Sequence, residues 1–300
     1  LLTAYNSEKF KVPPGFCITL TAFQKQLQKN PILTEKAKEL EAVANKRKPG
    51  NLSEVCASTA KLFEETELTK DVKEAVKSEM ENNFSSSDGK LFAVRSSAAG
   101  EDSDEMSAAG QMDTYLGVKT MEQIFQSIQK CWASYFAFPA VEYRRQHGQP
   151  IVSGMGVVVQ EMVKSETAGV LFTRDPLTGN PAKMSINANY GLGESVVSGS
   201  AEPDTITLSR SWEGEVKVKE IQVGGKKTQI TAKGDGDTVE TEVGSENSKK
   251  CCLKEDDILK LGQIAVELEK AFVGPRDIEW AYNGSQLYIL QARPITTLNQ

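Results

Sequence analysis

The sequence predicts an α+β fold of two lobes with a ligand cleft between them. Three observations predict it. The first half carries apolar residues at helical spacing. From residue 154 the chain reads as short strands. The last of these form a hairpin whose polar residues recur at every second position. The lobes are placed at 1–117, helical and α/β, and 118–300, sheet-rich. Ligands collect where lobes meet.

Residues 1–20 read as a helix end, a turn at Pro13-Pro14-Gly15 and a strand from Phe16 to Thr19. Residues 21–83 are mainly helical. Ser53 is the expected N-cap of a helix reaching Leu68, and Val72, Val76 and Met80 recur every fourth residue. Ser85 to Gly89 is a loop and Leu91 to Val94 a short buried strand. Residues 96–114, rich in Ser, Ala, Gly and acids, show no period. A structureless stretch of that length is uncommon in a compact domain and points to function. Residues 118–146 form a helix with Ile124, Ile128, Trp132 and Tyr135 on one stripe. Strands follow at Met155–Val163, Ala168–Thr173, Met184–Ala188 and Thr205–Leu208, with alternating segments between 215 and 243. A helix over 254–273 stops at Gly274-Pro275. The hairpin Ile278–Tyr282 and Gln286–Ala292 ends the pattern.

Composition narrows the function classes. With 39% hydrophobic and 25% charged residues the chain reads as globular, not disordered. A net charge of −6 without any Lys/Arg-rich run argues against a nucleic-acid partner. No apolar stretch approaches the roughly 20 residues of a membrane span. Five cysteines, an odd number without zinc-type spacing or a signal peptide, read as thiols of a reducing compartment, the cytoplasm. The first residue is Leu, which reads as a cropped domain.

Common nucleotide motifs are absent. Gly224-Gly225-Lys226-Lys227-Thr228 lacks the earlier glycine of a phosphate-binding loop and reads as a hairpin turn. No strand is followed by G-x-G-x-x-G, and no H-R-D occurs. The one histidine, His147, reads as a surface residue at a helix end.

Four segments carry chemistry. Asp277 and Glu279, then Gln291 and Arg293, are each spaced i, i+2. A three-residue loop, Asn283-Gly284-Ser285 with glycine left-handed, sets Asp277 opposite Gln291 and brings all four onto one face. Such a face suits Mg²⁺ and a triphosphate, or a solvated ion pair. Arg95-Ser96-Ser97 at a strand end, continuing through Ala108 to Tyr115 with Thr114, can wrap a phosphate or be a flexible loop. Val157 to Val163, with Gln160 and Glu161 between apolar residues, suits an adenine hinge or a plain core strand. Thr173-Arg174-Asp175-Pro176 and Gly191-Leu192-Gly193-Glu194 allow close backbone approach, with Glu194 a ribose or metal contact, or are tight-turn architecture.

Taken in order, Ala93–Ala98, Ala109-Gly110-Gln111 with Thr114-Tyr115, Gln160–Val163, Gly169–Pro176, Gly191–Glu194, Asp277–Trp280 and Gln291–Ile295 resemble the ATP-binding domain of the phosphoenolpyruvate synthase, pyruvate phosphate dikinase and rifampin phosphotransferase family. The resemblance spans roughly Pro13 to Thr296. It implies an ATP-grasp fold, phosphate contacts from Arg95 and Arg293, and Mg²⁺ held by Glu279 and Gln291 with Asp277 nearby. It implies an adenine hinge at Gln160, Glu161, Met162 and Val163. It also implies transfer of the β-phosphate of ATP to a histidine on a swivelling domain, with AMP released. The family's Gly-Gly-Lys segment near its N-terminus, the histidine domain and the acceptor domain find no match in the sequence, which reads as beginning just after that segment, and His147 does not match the phosphohistidine motif. A catalytically degenerate nucleotide-binding or regulatory module is the alternative reading. An ATP-grasp ligase is a third, opposed by the Arg-Ser-Ser loop and the Gln-Ala-Arg-Pro ending.

Overall fold

The computed structural model describes residues 9–84, 89–98, 102–103, 106–107, 114–233 and 237–295. The first lobe holds β1 (Gly15–Ile18), α1 (Leu20–Lys29), α2 (Pro31–Ala44), α3 (Leu52–Glu65), α4 (Lys70–Asn83) and β2 (Phe92–Ala98). After the short pair β3 (Asp102–Ser103) and β4 (Met106–Ser107) it continues with β5 (Thr114–Val118), α5 (Met121–Ser134), α6 (Phe138–Gln146) and β6 (Met155–Glu161). Its four-stranded antiparallel sheet has the order β1-β6-β2-β5. Phe92, Val94, Val157 and Val159 turn one face of it into a core shared with Phe23, Phe63, Trp132 and Phe136 of the helical layer. Trp132 Nε1 donates to the Met155 carbonyl at 3.1 Å, which pins α5 to the sheet.

The second lobe holds β7 (Thr167–Phe172), β8 (Lys183–Tyr190), α7 (Glu194–Val197), β9 (Asp204–Arg210), β10 (Val216–Gln222), β11 (Thr228–Ala232), β12 (Thr238–Glu242), α8 (Glu255–Ala271), β13 (Arg276–Asn283) and β14 (Gln286–Pro294). Its six-stranded antiparallel sheet runs β10-β9-β8-β7-β13-β14. Leu171, Ile186, Leu208, Ile278 and Trp280 share a buried cluster with Ile258, Leu261, Ile264 and Leu268 of α8. Each sheet therefore packs helices on one face and leaves its other face toward the space between the lobes. The α+β class is as expected.

Residues 96–114, read as one structureless loop, hold the end of β2, the pair β3–β4 and the start of β5, and three further boundaries differ in ways that bear on the site. The Asn51 side chain, not Ser53, caps α3, accepting from the Ser53 and Glu54 N–H groups at 3.0 and 3.5 Å. The helix expected over 118–146 is two, because Pro139 can enter only at the start of a helix and opens α6. The change of sheet does not fall at 117/118, since α5, α6 and β6 all belong to the first sheet's layers. It falls at residues 162–166. The chain also crosses once earlier. Lys11 bridges Tyr288 of β14, Phe10 is buried in the second core, and the path then passes Pro13-Pro14 into β1. The two crossings are tied together: Glu161 N–H donates to Pro14 O at 2.9 Å and Gln160 Nε2 to Pro13 O at 3.3 Å.

Lys226, in the segment read as a hairpin turn, links β10 to β11 and is fully buried against Asp204, also fully buried. Asp204 also accepts the Gly224 N–H at 2.9 Å and the Cys252 N–H at 2.7 Å. This satisfied pair fixes both ends of the excursion 223–252. Burial, with Asp204 adding, pushes the Cys252 thiol up, and burial does the same for Cys251. Both therefore stay protonated. Lys226→Ala leaves a buried carboxylate without its cation and is expected to cost about 3–5 kcal/mol, read from urea denaturation. A loss under about 1 kcal/mol would refute the role given to the pair.

Candidate functional site

The hairpin that closes the second sheet positions the acidic side chains. Asn283 pairs with Gln286, so the turn has two residues, Gly284 and Ser285, and not the expected three. Gly284 is left-handed at φ 56°, as expected. A two-residue turn alone would set odd positions against even ones and send Gln291 and Arg293 into the core. A register shift between Glu279 and Trp280 prevents this: Trp280 pairs with Ile289, Glu279 with Gln291 and Asp277 with Arg293. Leu290 is the extra residue of a β-bulge. All four polar residues thus share one face, with Asp277 opposite Arg293, not Gln291. The Arg293 guanidinium grips Asp277 Oδ2 through Nε at 2.9 Å and Nη2 at 2.8 Å.

The first sheet supplies the opposing wall. Arg95 on β2 pairs with Thr114 of β5 and Val158 of β6. Its Nη2 crosses the gap to Glu279 Oε2 at 2.6 Å, joining the two lobes. Their side chains are 23% and 17% exposed, so the pair is partly shielded from water. Behind it opens a cleft of about 430 Å³ lined from both lobes. Its walls include Arg95, Thr114, Gln160, Met162, Glu194 and Glu279. Glu161 and Val163 line it too, while Asp277, Gln291 and Arg293 continue the hairpin face beside it.

Strand alternation separates two neighbours. Ser96 pairs with Val157 and falls on the face of Val94, toward the helices. Ser97, which the sequence reading did not favour, falls on the face of Arg95. Counting from Arg95 in steps of two would have found it. The Glu161 carboxylate is bonded to Lys90 at 2.8 Å. In the crossing beyond β6, Met162 N–H donates to Leu91 O at 2.8 Å and Ser165 N–H to Val163 O at 2.8 Å. The Val163 N–H makes no hydrogen bond among the described residues. Glu194 is exposed at the rim, where the crowded wall and then Asp237 raise its carboxyl above the usual range.

The remaining candidates lie elsewhere. Thr173 Oγ1 accepts the Arg276 N–H at 2.8 Å, Arg174 pairs with Glu269 at 3.4 Å, and Asp175 accepts the Leu177 and Thr178 N–H groups at 3.0 and 3.1 Å. That is turn architecture. His147 is exposed at the end of α6, its ring 4.1 Å from that of Tyr143. Ala99 to Glu101 and Ala108 to Asp113, expected to wrap phosphate, lie outside the described residues.

Comparison with known proteins bears on this cleft. The family model for the pyruvate phosphate dikinase AMP/ATP-binding domain matches residues 1–300. A probable phosphoenolpyruvate synthase of Methanocaldococcus jannaschii is 36% identical over 293 residues, covering 96% of this chain and 24% of the relative. Rifampicin phosphotransferase of Bacillus subtilis is 37% identical over 294 residues, covering 96% of this chain and 32% of the relative. The chain thus spans about a quarter to a third of the length of these curated relatives. Among solved structures, D-alanine–D-alanine ligase of Bacillus anthracis aligns over 84% of this chain and 62% of that one at 9% identity, with a TM-score of 0.32.

The interlobe ion pair has a measurable signature. A double-mutant cycle of Arg95→Ala and Glu279→Ala without ligand is expected to give a coupling of about 1 kcal/mol that shrinks with added salt. A coupling indistinguishable from zero at low salt would show that the contact does not join the lobes.

Proposed function

The chain belongs to the pyruvate phosphate dikinase AMP/ATP-binding family, and from that premise we propose that it is the nucleotide-binding half of a dikinase-type phosphotransferase. The reading is that ATP lies in the cleft, its β-phosphate passes to a histidine on another domain of the whole protein, and AMP is released. The observation that carries it is the Arg95–Glu279 contact at 2.6 Å: a phosphate-seeking guanidinium and a cation-seeking carboxylate meet across the cleft from opposite sheets. A bound nucleotide would separate them, phosphate taking Arg95 and a cation taking Glu279.

The donor set fits Mg²⁺. Glu279 and Gln291 offer hard oxygens from paired positions on one face. Among the described residues no group of three or more His, Cys, Asp or Glu could hold a metal alone. Mg²⁺ would therefore sit here together with phosphate oxygens, its ordinary manner of binding. Bound there, it would neutralise phosphate charge. The chain's own part is positioning and electrostatics. Arg293, oriented by Asp277, faces the phosphates from the second sheet and Arg95 faces them from the first. Gln160 to Val163 hold the base, and Glu194 and Thr114 close the rim. No described helix is long and apolar enough to cross a membrane. All five thiols are free, which supports a reducing, cytoplasmic setting.

Calorimetric titration of ATP with and without Mg²⁺ tests the reading. Mg²⁺ is expected to tighten ATP binding at least about tenfold, and Glu279→Ala to bring that ratio to about one without lowering the melting temperature by more than a few degrees. If neither nucleotide form binds, the degenerate-module reading replaces this one. Arg293→Ala is expected to weaken ATP by about tenfold or more and adenosine hardly at all, by competition binding. Equal losses for both would take Arg293 out of the phosphate site.

A further inference from the structure

Ser165 lines the cleft beyond the strand read as the base-holding hinge. Its hydroxyl is buried and has no hydrogen-bond partner. Such a group is costly, because water has been removed and nothing replaces it. Several of its neighbours are satisfied: the Glu161 and Met162 N–H groups are bonded to Pro14 and Leu91, and the Glu166 N–H to Tyr282 O at 2.9 Å. Open polar groups of this crossing, among the described residues, include the Val163 N–H and the Ser165 hydroxyl, both on residues that line the cleft. They lie two residues apart, held close by the 2.8 Å bond from Ser165 N–H to Val163 O.

An open N–H and an open hydroxyl two residues apart, in a cleft whose lining also includes Met162, Ala168 and Ala281, present a two-point polar edge next to apolar side chains. That is the complement of a purine ring, whose flat faces are apolar and whose edge carries ring-nitrogen acceptors. The Val163 N–H suits an unprotonated ring nitrogen, as adenine has on its pairing edge. Because the hydroxyl is shielded in the unliganded chain, a rotation about the Ser165 Cα–Cβ bond would have to bring it to the base.

We infer that Ser165 is a base-reading residue, whose hydroxyl finds its missing partner on the adenine ring next to the Val163 N–H. This rests on the nucleotide reading of the cleft given above. The test is calorimetry of ATP, AMP and inorganic tripolyphosphate with wild type, Ser165→Ala and Ser165→Thr. Ser165→Ala is expected to weaken ATP and AMP by a similar factor, about tenfold, and to leave tripolyphosphate unchanged. Ser165→Thr, which keeps the hydroxyl, is expected to restore most of the affinity. Unchanged ATP affinity in Ser165→Ala overturns the inference while the nucleotide reading stands. An equal loss for tripolyphosphate also overturns it and makes Ser165 a structural residue of the crossing. Absence of ATP and AMP binding in wild type overturns both.

Discussion

The site depends on one extra residue. Leu290 shifts the β13–β14 ladder by one position, and side-chain direction along a strand has a period of two. On the turn side of the bulge, Ile289 and Leu287 are buried with Trp280 and Tyr282. Beyond it, the same direction is held by Ala292, and Gln291 and Arg293 are turned toward the cleft. Without the shift, a guanidinium and an amide would be driven into an apolar core, at a cost of several kcal/mol each. The core therefore enforces the bulge, and the bulge assembles the polar face. Packing and chemistry are specified by the same strand.

This explains which parts could be read from the chain. The shared face of Asp277, Glu279, Gln291 and Arg293 was legible because two i, i+2 pairs flank one turn. The device was not, because an odd loop and an even loop with a bulge give the same face. Nothing local in Leu290 distinguishes the two. The α+β class and most strands were legible from periodicity, but β3, β4 and β5 fell in or beside the stretch read as a structureless loop. The lobe boundary was not, since β6 joins the first sheet through pairings with β1 and β2 that lie far apart in sequence. Ser96 and Ser97 look alike in a motif and differ only by strand phase. Lys226 shows the opposite problem: a charged residue in a glycine-rich run reads as surface, and only the distant Asp204 makes it buried.

The arrangement also accounts for a cleft with a mixed lining. Arg95 and Glu279 supply charge where the two sheets are joined by a shielded ion pair. Ala168, Gly169, Ala281 and Met162 supply small or apolar surface beside the polar residues. A ligand with both charged and apolar parts matches that lining better than a uniformly charged one.

The paired crossings between the lobes add a mechanical consequence. Pro13-Pro14 and residues 162–166 are the two connections, bonded to each other through Glu161 and Gln160. The second of them is also the wall against which a base would rest. A seat built into the axle cannot be occupied without stiffening the axle. Filling it should narrow the swing of one lobe against the other, and any restraint on that swing should, by reciprocity, tighten the hold on whatever fills it. If a base does rest there, recognition and lobe motion share one set of atoms, and neither can be tuned alone.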